Sequence, residues 1–78
     1  MAKLTQRYED STEIHVGDRV HYNAQAGTVV YVIDHDEYSP TFPAEAYAHL
    51  GTGLMICFDN GALLHLERAD HYLSRISP

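Results

Sequence analysis

The pair Asn60-Gly61 constrains the fold of this chain more than any other short feature. It lies between two apolar runs, TGLMICFD at residues 52–59 and ALLHLE at residues 62–67. Both residue types adopt positive φ at low cost, and a two-residue type I′ hairpin needs positive φ at both central positions. The sequence therefore predicts two antiparallel strands joined by a tight turn at Asn60-Gly61.

A second β-unit precedes this hairpin. GDRVHY at residues 17–22 alternates polar and apolar side chains, and TVVYVID at 28–34 is rich in β-branched residues on both faces. These patterns predict a half-buried strand followed by a central strand. The intervening NAQAG predicts a turn, with Asn23 and Gly27 as the residues suited to positive φ. On the central strand, the residues expected to share one face are Val29, Tyr31 and Ile33.

An insert at residues 34–51 interrupts the β-pattern. It is acidic and aromatic, and its second half, PAEAYAHLG, consists of good helix formers with Pro43 suited to the first turn. We therefore predict a short helix within residues 41–50. A helix of two turns is marginal alone and must dock on something. Tyr47 and Leu50 are three residues apart, so we expect them to share the docking face.

The chain has 78 residues and reads as one domain. Residues 1–12 are polar and unpatterned, which predicts a flexible N-terminal arm, and residues 13–78 form the single domain that carries the insert. No apolar run reaches the roughly 18 residues of a membrane span, and the N-terminus lacks a signal-peptide core. We therefore expect a cytoplasmic protein with no membrane partner. One cysteine, Cys57, excludes an intrachain disulfide.

Two segments resemble a known family of folds. VGDRVHYNAQAGTVVYV at 16–32 resembles the opening hairpin, GDxVxx…GxV, of KOW- and Tudor-type domains. LMICFDNGALLHLERADHYLSRI at 54–76 is similar to their second hairpin and closing strand. This resemblance implies a mainly β fold, a small SH3-like antiparallel barrel of about five strands. The chain also resembles small acidic bacterial immunity proteins, which neutralise toxins, in size and charge alone.

The net charge of the chain favours some classes of partner over others. Eleven acidic residues against five basic ones give a net charge of −6 with histidine neutral. Nucleic-acid binding normally uses a basic face, and the turn NAQAG lacks the basic residues that nucleic-acid-binding KOW- and Tudor-type domains place there. The charge also disfavours anionic membranes, and it favours a basic protein by electrostatic steering. The other interpretation is that the charge serves solubility alone.

No residue pattern predicts catalysis, a metal or a cofactor. Strong metal-site signals have short fixed spacings, and the chain contains no HxxxH, HExxH or CxxC. Cys57 lies mid-strand without the electropositive setting of a nucleophile. We therefore predict that the protein is not an enzyme, and a metal-linked or enzymatic role through the histidines is the least favoured alternative. The six histidines are His15, His21, His35, His49, His65 and His71.

The insert is the predicted functional surface. Loops carry function on rigid scaffolds, and aromatic rings surrounded by charge are typical of interaction hot spots. The function predicted is a small acidic protein-binding module of the inhibitor or immunity type. One alternative is that the insert is a connector whose aromatics cover the end of the barrel, and another is an accessory KOW- or Tudor-like domain of nucleic-acid machinery. The predicted partner-binding residues are Asp34, Asp36, Glu37, Tyr38, Phe42 and Glu45.

Overall fold

The computed structural model describes residues 5–76 as one antiparallel sheet of six strands with one short helical segment. The helical segment is α1, Ala44–Tyr47, continued by a 3₁₀ turn at Ala48–Leu50. A further 3₁₀ turn covers Ile33–His35. The strands are β1 Arg19–Tyr22, β2 Gln25–Val32, β3 Glu37–Tyr38, β4 Leu54–Phe58, β5 Leu63–Leu66 and β6 Leu73–Arg75.

The strand order is β5-β4-β2-β1-β6, and β3 pairs with β2 beside this path. The mainly β fold is confirmed, with six strands where about five were predicted. The additional strand, β3, lies inside the insert. The sheet is not closed, so the structure does not confirm the predicted barrel. The described residues include no helix with the length and apolar character needed to cross a membrane.

The turn between β1 and β2 is shorter than predicted. Asn23 and Ala24 both have positive φ, 49° and 71°, as the two central residues of a type I′ turn do. Gly27 lies inside β2 instead of in the turn, so the prediction of positive φ there is wrong. A Cβ atom at Gly27 would lie 2.7 Å from Cγ2 of Ile56 on β4. This glycine is therefore required by close packing between strands.

The second hairpin forms where Asn60-Gly61 predicts it, but with a different turn. Of these two residues only Gly61 has positive φ, 91°. Phe58 N–H donates to the Ala62 carbonyl at 2.8 Å, and Gly61 N–H donates to the Phe58 carbonyl at 2.9 Å. The loop is therefore the three-residue type, with glycine in the left-handed position, and the type I′ assignment is wrong.

Two apolar clusters lie on opposite faces of the sheet. A register shift between Val29 and Tyr31 marks a β-bulge in the pairing of β2 with β4. A bulge adds one residue to a strand and so reverses the alternation beyond it. Val29 accordingly packs in one cluster, while Tyr31 and Ile33 pack in the other, and the prediction that all three share a face is wrong.

Residues 6–8, the N-terminal segment, are packed against the domain, although they were predicted to belong to a flexible arm. Gln6 and Tyr8 are only 2% and 5% exposed, and Arg7 forms an isolated β-bridge with Glu13. The Ile14 N–H donates to the Gln6 carbonyl at 3.0 Å. The predicted arm is therefore wrong for residues 6–8, and residues 1–4 lie outside the described part of the chain.

The helix predicted within residues 41–50 is confirmed at residues 44–50. The Tyr47 ring packs on Tyr31, with ring centroids 5.0 Å apart, and on Phe42 at 5.6 Å. Leu50 is 45% exposed, so the prediction that it helps to dock the helix is wrong. The insert therefore attaches to the sheet through aromatic rings.

Candidate functional site

Asp34 is an interior residue of the insert, although it was predicted to face a partner. It is 8% exposed. Its carboxylate accepts hydrogen bonds from Gln6 Nε2 at 2.8 Å, Thr52 Oγ1 at 2.6 Å and Gly53 N at 2.8 Å. Burial raises the pKa of Asp34, but these donors outweigh it and hold the pKa below its ordinary value. This burial gives no support to partner contact by Asp34, which stays a prediction.

Gln6 is the centre of the hydrogen-bond network that includes Asp34. Nothing in the local sequence marks this residue, because its partners come from distant segments. It joins the N-terminal segment to the start of the insert and to the loop after β5. Its backbone N–H donates to Nε2 of His35 at 2.9 Å, and its carbonyl accepts the N–H of Ile14 at 3.0 Å. Its side-chain Nε2 donates to Oδ2 of Asp34 at 2.8 Å and to the Glu67 carbonyl at 3.0 Å. Its side-chain Oε1 accepts the N–H of Ala69 at 3.0 Å.

The two aromatic residues predicted as anchors, Tyr38 and Phe42, are half-buried and pack toward the sheet. They flank the cluster of buried residues around Tyr31, and the Tyr31 and Tyr38 ring centroids are 6.2 Å apart. The Tyr31 hydroxyl lies 2.6 Å from Nδ1 of His65, and burial raises the pKa of Tyr31 to about 12. This packing favours the interpretation in which the aromatics of the insert attach it to the sheet.

The other three acidic residues predicted to bind a partner differ in solvent exposure. Asp36 is exposed and has positive φ, 57°, and Glu45 is exposed in the first turn of α1. Glu37 is half-buried and anchored: its Oε1 accepts the Val16 N–H at 3.0 Å. Its Oε2 accepts a hydrogen bond from Nδ1 of His15 at 2.7 Å. Glu37 therefore links the insert to the segment before β1.

His15 is the centre of an acidic surface that the sequence did not indicate. We call Glu13, His15, Asp18 and Glu37 the His15 surface. The hydrogen bond to Glu37 is the main cause that raises the pKa of His15, and the charges of Asp18 and Glu13 add to it. Asp18 also accepts the backbone N–H of His15 at 3.0 Å. One carboxylate thus contacts the exposed imidazole, and the charges of two more act on it.

His35 lies beside the His15 surface. The ring centroids of His15 and His35 are 6.0 Å apart. One ligand atom from each of His15, His35 and Glu37 lies within 4.8 Å of the others. The prediction of no metal site relied on the absence of short spacings, and His35 lies twenty positions after His15 in the chain. That argument does not apply to residues that the fold brings together.

Acidic groups lie beside two of the arginines within residues 5–76. Arg19 makes two hydrogen bonds to the Asp59 carboxylate, at 2.8 and 2.7 Å. Arg7 Nη2 lies 4.0 Å from a carboxylate oxygen of Glu13. Two of the four arginines in this range are therefore beside acidic groups, which gives no support to nucleic-acid binding.

Cys57 is half-buried in the middle of β4. Its Sγ lies 3.9 Å from the carbonyl oxygen of Phe58, which is a weak hydrogen-bond geometry. This placement is common for a cysteine that serves packing. The absence of an enzymatic role stays a prediction.

The chain matches no protein-family model, no curated protein and no solved structure. The resemblances to SH3-like barrels and to immunity proteins therefore stay predictions.

Proposed function

We propose that this protein is a small, acidic, non-enzymatic binding module that engages a basic protein. The observation that carries the proposal is the Glu37 carboxylate bonded to the exposed imidazole of His15, with the Asp18 carboxylate on the His15 backbone N–H and Glu13 two residues away in the chain. The hydrogen bond to Glu37 is the main cause that raises the pKa of His15, and the negative charges of Glu37, Asp18 and Glu13 raise it further and make this part of the surface attractive to a cation. A lysine or arginine of a partner would meet the same favourable potential.

The binding surface comprises the His15 surface and the exposed acids of the insert, Asp36 and Glu45. It differs from the surface predicted from sequence, because Asp34 is buried and the rings of Tyr38 and Phe42 pack toward the sheet. The proposed surface therefore uses the exposed acids of the insert to attract a basic partner, and it does not use the aromatic rings of the insert as contacts with that partner.

A cytoplasmic inhibitor or immunity-type protein is the narrower form of this proposal. Such proteins work by covering a site on their target, and this needs a complementary surface without catalytic groups of its own. The net charge of −6 suits a target with a basic surface. The alternative role in nucleic-acid machinery has less support, because two of the four arginines within residues 5–76 lie beside carboxylates.

The test compares two double variants that each remove two negative charges. Glu13→Gln/Asp36→Asn removes charges from the proposed surface, and Asp59→Asn/Glu67→Gln removes them from exposed sites elsewhere. Proteins captured by the wild type are identified, and their association rates with each variant are measured at low and high salt. We expect the first variant alone to associate more slowly, with a loss that shrinks as salt rises. Equal rates for the two variants at low salt would contradict the proposed surface.

A further inference from the structure

Within residues 5–76, two imidazoles and one carboxylate meet near the point where the insert contacts the segment before β1. One ligand atom each of His15, His35 and Glu37 lies within 4.8 Å of the others. Two histidines and one glutamate form a zinc-ligand set that leaves a fourth position for water. Because the three atoms are already this close, zinc–ligand bonds of about 2.0–2.2 Å require only a modest rearrangement of the group.

The backbone already orients two of the three ligands. The Val16 N–H holds Oε1 of Glu37 at 3.0 Å, and Oε2 is directed to His15. The Nδ1 atom of His35 donates to the Ile14 carbonyl at 3.0 Å, so the lone pair of this ring lies on Nε2. Histidines that bind metals typically donate their other ring N–H to a carbonyl or carboxylate in this way.

Two hydrogen bonds compete with a metal ion at this site. His35 Nε2 accepts the backbone N–H of Gln6 at 2.9 Å, and His15 Nδ1 donates to Glu37 Oε2 at 2.7 Å. A nitrogen with one lone pair cannot accept an N–H and coordinate a metal at once. Metal binding through Nε2 therefore requires that the Gln6 N–H leave His35. The negative charges of Glu13 and Asp18 near His15 favour the binding of a divalent cation, which offsets the loss of this hydrogen bond.

We propose that His15, His35 and Glu37 bind one Zn²⁺ ion, and that its binding breaks the hydrogen bond from Gln6 N–H to His35 Nε2. This inference does not depend on the proposed binding function, because it concerns the metal and the chain alone. It also links a surface site to the N-terminal segment, since Gln6 connects that segment to the rest of the fold.

Calorimetric titration with zinc chloride tests the site with three variants of the full chain. Removing an outer-shell partner of a metal ligand typically weakens metal binding by about 10–100-fold, so removing a ligand should cost at least that much. We expect one zinc ion per chain, with binding at least about tenfold weaker in His15→Ala and in Glu37→Gln. Glutamine at position 37 keeps an oxygen for the Val16 N–H, which preserves the local fold. His49→Ala removes an exposed histidine of the insert and should bind zinc as the wild type does.

A second measurement follows the Gln6 amide by ¹H–¹⁵N NMR during the titration. Zinc should shift the ring signals of His15 and His35 and speed the exchange of the Gln6 N–H with solvent. Zinc binding that is unaffected by His15→Ala and Glu37→Gln would overturn the proposal. A Gln6 amide that exchanges at the same rate with and without zinc would overturn the coupling to the N-terminal segment.

Discussion

Replacing Gln6 by leucine removes a buried amide while nearly keeping the side-chain volume. The side chain makes three hydrogen bonds, to Asp34, to the Glu67 carbonyl and from the Ala69 N–H. Losing a hydrogen bond to a buried charge costs about 1.5–3 kcal/mol, and each of the other two, which water can partly replace, costs about 0.5–1 kcal/mol. The free energy of unfolding should therefore fall by about 3 kcal/mol. The total free energy of unfolding of a chain of this length is about 4–12 kcal/mol, so the loss is a large part of it.

Urea denaturation followed by circular dichroism measures this loss. The matched control is Gln25→Leu, which makes the same replacement at an exposed position on β2 and should change the unfolding free energy by less than about 0.5 kcal/mol. If Gln6→Leu cost no more than Gln25→Leu, the claim that Gln6 joins the three segments would be refuted.

The pH dependence of this loss tests the bond to Asp34 separately. The pKa of Asp34 in the folded protein is lower than in the unfolded chain, where it is about 3.9. Its ionised carboxylate therefore stabilises the fold above about pH 4, and this contribution is lost as the pH falls through the folded-state pKa. Gln6→Leu removes one cause of the lowered pKa. The stability gap between wild type and variant should accordingly narrow below about pH 4, and a constant gap would show that Asp34 contributes nothing to it.

Two further predictions concern the insert and the second hairpin. Tyr47→Ala should lower the unfolding free energy by about 2 kcal/mol, because the ring packs on Tyr31 and Phe42, whereas Leu50→Ala should change it by less than about 0.5 kcal/mol. Equal effects in thermal unfolding would contradict the docking through rings. Gly61→Val should cost about 1 kcal/mol or more, since φ there is 91°, and Gly61→Asn should cost less because asparagine tolerates positive φ. If denaturation showed the same cost for both, the left-handed conformation of residue 61 would be in doubt.

Five of the six strands and the insert helix were predictable because their signals are local, whereas β3 was not. Asn60-Gly61 locates the second hairpin, and Pro43 precedes the helix that begins at Ala44. The turn types and the faces of β2 were not predictable in the same way. The bulge between Val29 and Tyr31 depends on how β4 pairs with β2, and no property of the β2 sequence alone determines it.

The candidate site was only partly predictable, because the sequence shows which residues are charged but not which groups they contact in the fold. Asp34 and Glu37 were placed on the surface, yet their donors include Gln6 and Val16, which lie 28 and 21 residues away in the chain. His15 shows the opposite case. Glu13 and Asp18 lie within three residues of it in the chain, but Glu37 reaches its ring only when the insert folds back on the segment before β1.

The contacts of Gln6 also determine the order in which this chain can fold. Its side chain bonds to Ala69 across 63 residues, and β1 pairs with β6 near the other end of the sequence. Contacts between such distant residues carry a large loop-closure cost, and β-rich domains dominated by them fold in about milliseconds to seconds. During synthesis, the N-terminal segment cannot take its final position until the residues around Ala69 have left the ribosome. The segment around Gln6 is therefore made long before the residues that hold it, and it is among the last described segments to be fixed in place.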